Sequence, residues 1–105
     1  CEKAGVNPNK MIKALSGGWA DSKVLQTHGK RMINKDFTPK GRTSVQLKDM
    51  NNILECANSF SAELPISNLV KDMYKILVEN GYGEMDHSSL YKEIERINNE
   101  AIKSR

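Results

Sequence analysis

The chain has 105 residues, 38% hydrophobic and 28% charged, with 16 lysines and arginines against 13 acids for a formal net charge of +3. That length holds one domain at most, with a single core, and that balance excludes a disordered tail. Basic and acidic residues are interleaved rather than gathered into a block of one sign, which argues against a nucleic-acid arm and for a solvated mixed surface. Cys1 and Cys56 are the only cysteines, too few for a disulfide framework and in keeping with a reducing compartment. No apolar run approaches the roughly 18 residues of a membrane span and no cleavable leader opens the chain, so the expected setting is cytoplasmic, with no membrane partner.

Glu2-Lys3-Ala4-Gly5 reads as the last turn of a helix closed by a glycine cap, as if cut from something longer. Asn7 then caps a short helix with Pro8 in its first position and Met11, Ile12 and Leu15 on its apolar face, running to Ser16. Gly17-Gly18 breaks it. Residues 19–34 read as a second helical stretch that buries Val24, Leu25, Met32 and Ile33, with an interruption near Gly29. Asp36-Phe37-Thr38-Pro39-Lys40-Gly41 is a turn or extended link, because Pro39 drives Thr38 out of the helical region.

Over residues 43–60, Leu47, Met50, Ile53, Leu54, Ala57 and Phe60 recur at spacings of three and four, which is the strongest helical signal in the chain. Pro65 opens the next helix, lined by Ile66, Leu69, Val70, Met73, Ile76 and Leu77 and stopped by Asn80-Gly81. Gly81-Tyr82-Gly83 makes a turn, and Asp86 caps a last helix whose face carries Leu90, Ile94, Ile97 and Ala101. No strand alternation and no internal repeat occur. The fold class is therefore all-α, a compact bundle of about five helices.

The residues that carry chemistry are sparse. His28 and His87 lack the spacing that sets two ligands on one helix face, so no metal site is expected, and His87 beside Asp86 reads as a surface residue. Cys56 falls within an apolar helical band, where an inert buried thiol outweighs a nucleophile. Gly81-Tyr82-Gly83 follows no strand and lacks the third glycine of a dinucleotide loop. Arg42 and Lys48 flank a helix start whose free amides favour an anion, a carboxylate or phosphate. Solvated charges are the plainer reading of the same residues. RNA is disfavoured, because no aromatic is interleaved with those charges to stack on a base.

Gly17-Gly18-Trp19-Ala20 with Ser22 and Leu25, Gly29-Lys30-Arg31-Met32, Asp36-Phe37-Thr38-Pro39, Leu47-Lys48-Asp49-Met50, Leu64-Pro65 and the run from Gly81 to Leu90 stand in one order. In that order and spacing the chain resembles the C-terminal half of the β-hydroxyacid dehydrogenases. The resemblance implies the helical domain found in 3-hydroxyisobutyrate and 6-phosphogluconate dehydrogenases, with an N-terminal Rossmann domain for NAD or NADP outside this chain. It implies reversible hydride transfer with a small 3-hydroxy acid, a general acid/base lysine and an asparagine also outside it, and a homodimer or higher homo-oligomer formed through helix faces. By the same resemblance Lys48 binds the cofactor near its nicotinamide end and Asp49 lies on the substrate side of the cleft. Phe37 and Pro39 position a loop, and the aromatic that often walls the substrate pocket is missing at Gly41. No residue of this chain is assigned a catalytic role, so the chain alone is expected to be inactive and to bind no cofactor tightly. A free-standing helical interaction module, without enzymatic activity, is the competing expectation.

Overall fold

The computed structural model describes the backbone of residues 1–103 and the side chains of residues 1–99. Among the described residues there are five α-helices and no strand, so the all-α expectation is met. The chain gathers into two compact units, Cys1–Phe37 and Thr38–Arg105.

The first unit opens on a 3-10 turn, Glu2–Ala4, closed by Gly5 at φ 72°, the left-handed cap expected from its glycine. Helix α1, Pro8–Leu15, starts as the sequence indicates, with the Asn7 side chain accepting from the Asn9 and Lys10 amides at 2.9 and 3.3 Å. Ile12 is its buried residue. The expected helix over residues 19–34 begins later than read: Trp19 lies outside it with its side chain wholly in solvent, and Ser22 Oγ accepts from the Leu25 amide at its start. Asp21 fastens the preceding turn by accepting from the Gly17 and Ser22 amides, each at 2.7 Å, and from Gln26 Nε2 at 3.0 Å. Those bonds, the Gly17 amide first, hold the Asp21 carboxyl below the usual range.

Gly29 does not interrupt this stretch. The helix instead widens into a π turn over Leu25–Gly29 and continues as α2, Lys30–Asn34, with Gly29 itself helical at φ −58°. A Cβ at Gly29 would stand 3.1 Å from Ile12 Cδ1, so glycine here permits close approach to α1. Leu25, Met32 and Ile33 are half-buried, whereas Val24, expected inside, is 64% exposed.

The second unit holds α3, Thr43–Ser59, then α4, Pro65–Leu77, and α5, Leu90–Lys103. Helices α3 and α4 pack on one another, and α5 packs on α4. Its core is Met50, Tyr74 and Leu77, with Leu47, Val70, Tyr82 and Leu90 against it. Helix α4 runs into a π turn, Val78–Tyr82, in which Gly81 takes φ 90° and turns the chain, as its glycine suggests. Several expected core positions face outward instead: Ile53 on α3 and Phe60 just past its end, Ile66 and Leu69 on α4, and Ile94 and Ile97 on α5 are exposed. Cys56, expected to be buried, is exposed as well, because it lies to the side of the face that Met50 presents to the core. Ala101 lies outside the residues whose side chains are described. Among the described residues no helix is long and apolar enough to cross a membrane.

Candidate functional site

A buried polar assembly of the second unit lies where α3 begins. Asp86 has no exposed surface, and its carboxylate gathers the chain on both sides. Oδ1 accepts from the amides of Lys40 at 2.9 Å and Gly41 at 3.1 Å, and Oδ2 accepts from the Ser88 amide at 3.0 Å and from the Ser88 hydroxyl. The Gly41 carbonyl in turn accepts from the His87 amide at 2.8 Å. Burial alone would raise the Asp86 carboxyl, but the bonds from Ser88, Lys40 and Gly41 overcome it and hold the group well below the usual carboxylate range. The same residue caps the 3-10 turn His87–Ser89 that leads into α5, the role its type and position indicate.

Thr43, also without exposed surface, sits at the first position of α3. Its hydroxyl lies 3.0 Å from the Met85 carbonyl, 3.2 Å from that of Asp86 and 3.2 Å from Ser89 Oγ. Nearby, the Tyr74 hydroxyl donates to the His87 carbonyl at 3.1 Å, and burial followed by the charge of Asp86 raises the Tyr74 pKa. His87, read from sequence as a surface residue, is half-buried, and a Cβ at Gly41 would lie 3.7 Å from its ring.

These contacts correct one expectation from sequence. The start of α3 offers no free amides for an anion, because the Thr43 amide donates to the Met85 carbonyl at 2.8 Å and the Ser44 amide to that of Gly83 at 2.9 Å. The next two amides, of Val45 and Gln46, both donate to the Arg42 carbonyl. A ligand at this helix start meets side chains rather than backbone donors. Arg42 is engaged with Glu84 at 3.1 Å, an exposed pair that solvent screens.

Lys48 and Asp49 stand in the second turn of α3, outside the buried assembly. Their side chains are 65% and 51% exposed and meet each other at 3.5 Å. An adjacent ammonium and carboxylate in solvent form a weak pair that an external charged group exchanges at little cost, so the arrangement suits charge recognition. Phe37 is buried, Pro39 is exposed, and Gly41 is held on both sides by Asp86 and His87.

Sequence reasoning missed the assembly of Thr43, Ser88 and Ser89 around Asp86, because buried polar residues leave no periodic signal. It also missed Glu93, 1% exposed, which takes both Nε and Nη2 of Arg96 at 2.8 and 2.6 Å. That pair borders a polar groove of about 440 Å³ shared by Asn80, Tyr82 and Lys92. The Lys92 ammonium stands 5.3 Å from the Tyr82 ring centroid, within cation–π range.

Comparison with known proteins adds to this geometry. Residues 1–94 match the family described as the NAD-binding domain of NADP-dependent 3-hydroxyisobutyrate dehydrogenase. The chain is 33% identical over 100 residues to a 2-hydroxy-3-oxopropionate reductase of Escherichia coli, covering 95% of this chain and 34% of the reductase. It is 30% identical over 102 residues to a probable mitochondrial 3-hydroxyisobutyrate dehydrogenase-like protein of Arabidopsis thaliana, covering 97% of this chain and 30% of that protein. The chain thus spans about a third of the length of these relatives. The fold is similar to that in a crystal structure of 3-hydroxyisobutyrate dehydrogenase from Salmonella typhimurium, with a TM-score of 0.81 at 21% identity over 87% of this chain and 32% of the other.

Proposed function

Because the chain belongs to the family of the NAD-binding domain of NADP-dependent 3-hydroxyisobutyrate dehydrogenase, we propose that it is the helical domain of an NAD(P)-dependent 3-hydroxy acid dehydrogenase or reductase. In this reading the domain closes over the substrate and contributes to a homodimer. The observation that carries it is the exposed pair Lys48 and Asp49 on a helix whose start is locked by Asp86 and Thr43.

The residues fit an anionic cofactor through side chains alone. Lys48 presents a solvated ammonium, and the first amides of α3 are already bonded to carbonyls. Lys48 would hold the cofactor near its nicotinamide end, and Asp49 would face the substrate. The nicotinamide, when bound, supplies the hydride donor or acceptor. Transfer of a proton to or from the substrate hydroxyl is assigned to residues outside this chain, so the chain alone turns over no 3-hydroxy acid.

The test replaces the matching third of the Escherichia coli reductase with this chain. The hybrid is expected to reduce its substrate with a nicotinamide cofactor, while Lys48→Ala raises the cofactor KM by about tenfold, the loss of one charge-assisted contact. An active hybrid whose cofactor KM ignores Lys48→Ala refutes the assignment of Lys48, and turnover by the chain alone refutes the division of labour.

A second reading, an interaction module without catalysis, draws on the exposed apolar residues Ile53 of α3, Phe60 at its end, and Ile66 and Leu69 of α4. In the enzyme reading these are subunit contacts. Light scattering of the isolated chain is expected to give a mass above the 11.8 kDa of one copy, and a clean monomer counts against those contacts.

A further inference from the structure

We propose that Asn80 is a site of spontaneous deamidation that converts a neutral amide of the folded chain into a carboxylate on the groove lined by Lys92, Glu93, Glu95 and Arg96. Asn80 is the only asparagine in the chain followed by glycine. Both residues are exposed, and they lie where α4 has passed into its terminal turn. Gly81 has the left-handed φ of 90°, and the position its Cβ would take has no atom within 4 Å. Asn58, followed by Ser59, lies in the last turn of the regular helix α3.

The chemistry balances with water as the only co-reactant. The Gly81 backbone nitrogen attacks Asn80 Cγ, a new C–N bond closes a five-membered succinimide, and the Cγ–Nδ2 bond breaks. Ammonia leaves, carrying the amide proton of Gly81. Water then opens the ring at either carbonyl. Opening at Cγ restores the ordinary backbone as aspartate, and opening at the main-chain carbonyl leaves isoaspartate, with the chain running through Cγ. No group is oxidised or reduced.

The location gives the product a consequence. Asn80 borders one groove with Lys92, Glu93, Glu95 and Arg96, so the new carboxylate joins a groove that carries both signs, with Arg96 already held by Glu93, and the formal net charge falls from +3 to +2. It also stands past the carbonyl end of α4, where negative charge is unfavourable. The modification therefore alters the charge of the groove without adding to the stability of the helix. Isoaspartate adds a backbone carbon at the turn that Gly81 makes, and displaces Tyr82 from its place under Lys92.

Peptide mapping by mass spectrometry of the 105-residue chain, incubated at mildly alkaline pH, reads the outcome. Asn80 is expected to convert before every other asparagine and at a rate within about tenfold of that in urea, since helix-terminal turns open at little cost. Asn80→Gln is expected to remove the first acidic species on ion exchange and leave the others. Conversion of Asn58 ahead of Asn80, or protection of Asn80 in the folded chain by far more than that factor, overturns the proposal.

Discussion

Replacing Asp86 by alanine strikes the lock on α3 directly. The carboxylate accepts from Lys40, Gly41 and Ser88 amides at 2.9 to 3.1 Å and from the Ser88 hydroxyl, all at a site with no exposed surface. Hydrogen bonds to a charged group contribute roughly 1.5–3 kcal/mol each. Relief of the buried charge returns several kcal/mol of that sum, leaving a net loss of about 3–5 kcal/mol. Against a total of roughly 5–15 kcal/mol for a domain, this is a large fraction. Asp86→Asn keeps one acceptor oxygen for the loop amides but turns an amide group towards Ser88, so it costs less, about 1–3 kcal/mol. Urea unfolding followed by circular dichroism reads both variants. An alanine variant within about 0.5 kcal/mol of the parent would mean that the loop amides find other acceptors, and refutes the reasoning.

The same carboxylate sets an acid response. Its folded pKa is depressed, so its stabilisation is complete above the unfolded value of about 3.9 and is lost as pH falls towards the folded one. The parent is expected to weaken as pH is lowered from about 5 to 2, and Asp86→Asn less steeply; parallel curves would remove Asp86 from the account. Leu77→Ala empties a core position that is 1% exposed and should lower stability by about 2–5 kcal/mol in the same urea assay. Thr43→Val keeps the shape but leaves two carbonyls and Ser89 without the hydroxyl, a loss of about 1–3 kcal/mol measured as a lower melting temperature. Asn7→Ala removes the cap of α1 and should cost about 1 kcal/mol, seen as faster amide exchange at Asn9 and Lys10.

Helix boundaries were legible in the sequence wherever a residue has one physical use. Asn7 with Pro8, Gly5, Pro65, Gly81 and Asp86 all act where their chemistry indicates. Burial was less legible. Ile53, Phe60, Ile66 and Leu69 satisfy a helical period yet face outward, because periodicity marks an apolar stripe without saying what covers it. Gly29 misled for a related reason. A glycine weakens a helix in isolation, but beside Ile12 its lack of a side chain is what admits the neighbouring helix. Lys48 and Asp49 were found through a motif and stand at the surface as a pair, whereas Thr43, Ser88 and Ser89 were invisible. Their partners lie more than forty positions away for Thr43, and no local pattern records a bond of that separation.

The carbonyls that complete the first turn of α3 come from Gly83 and Met85. A ribosome releasing this chain therefore exposes a helix whose first turn stays open until the segment that follows α4 has emerged. Long-range closure of this kind forms late, because the intervening chain must be ordered first. Truncation before Gly83 would accordingly unsettle a helix that the missing residues do not belong to, and α3 is the element that presents Lys48.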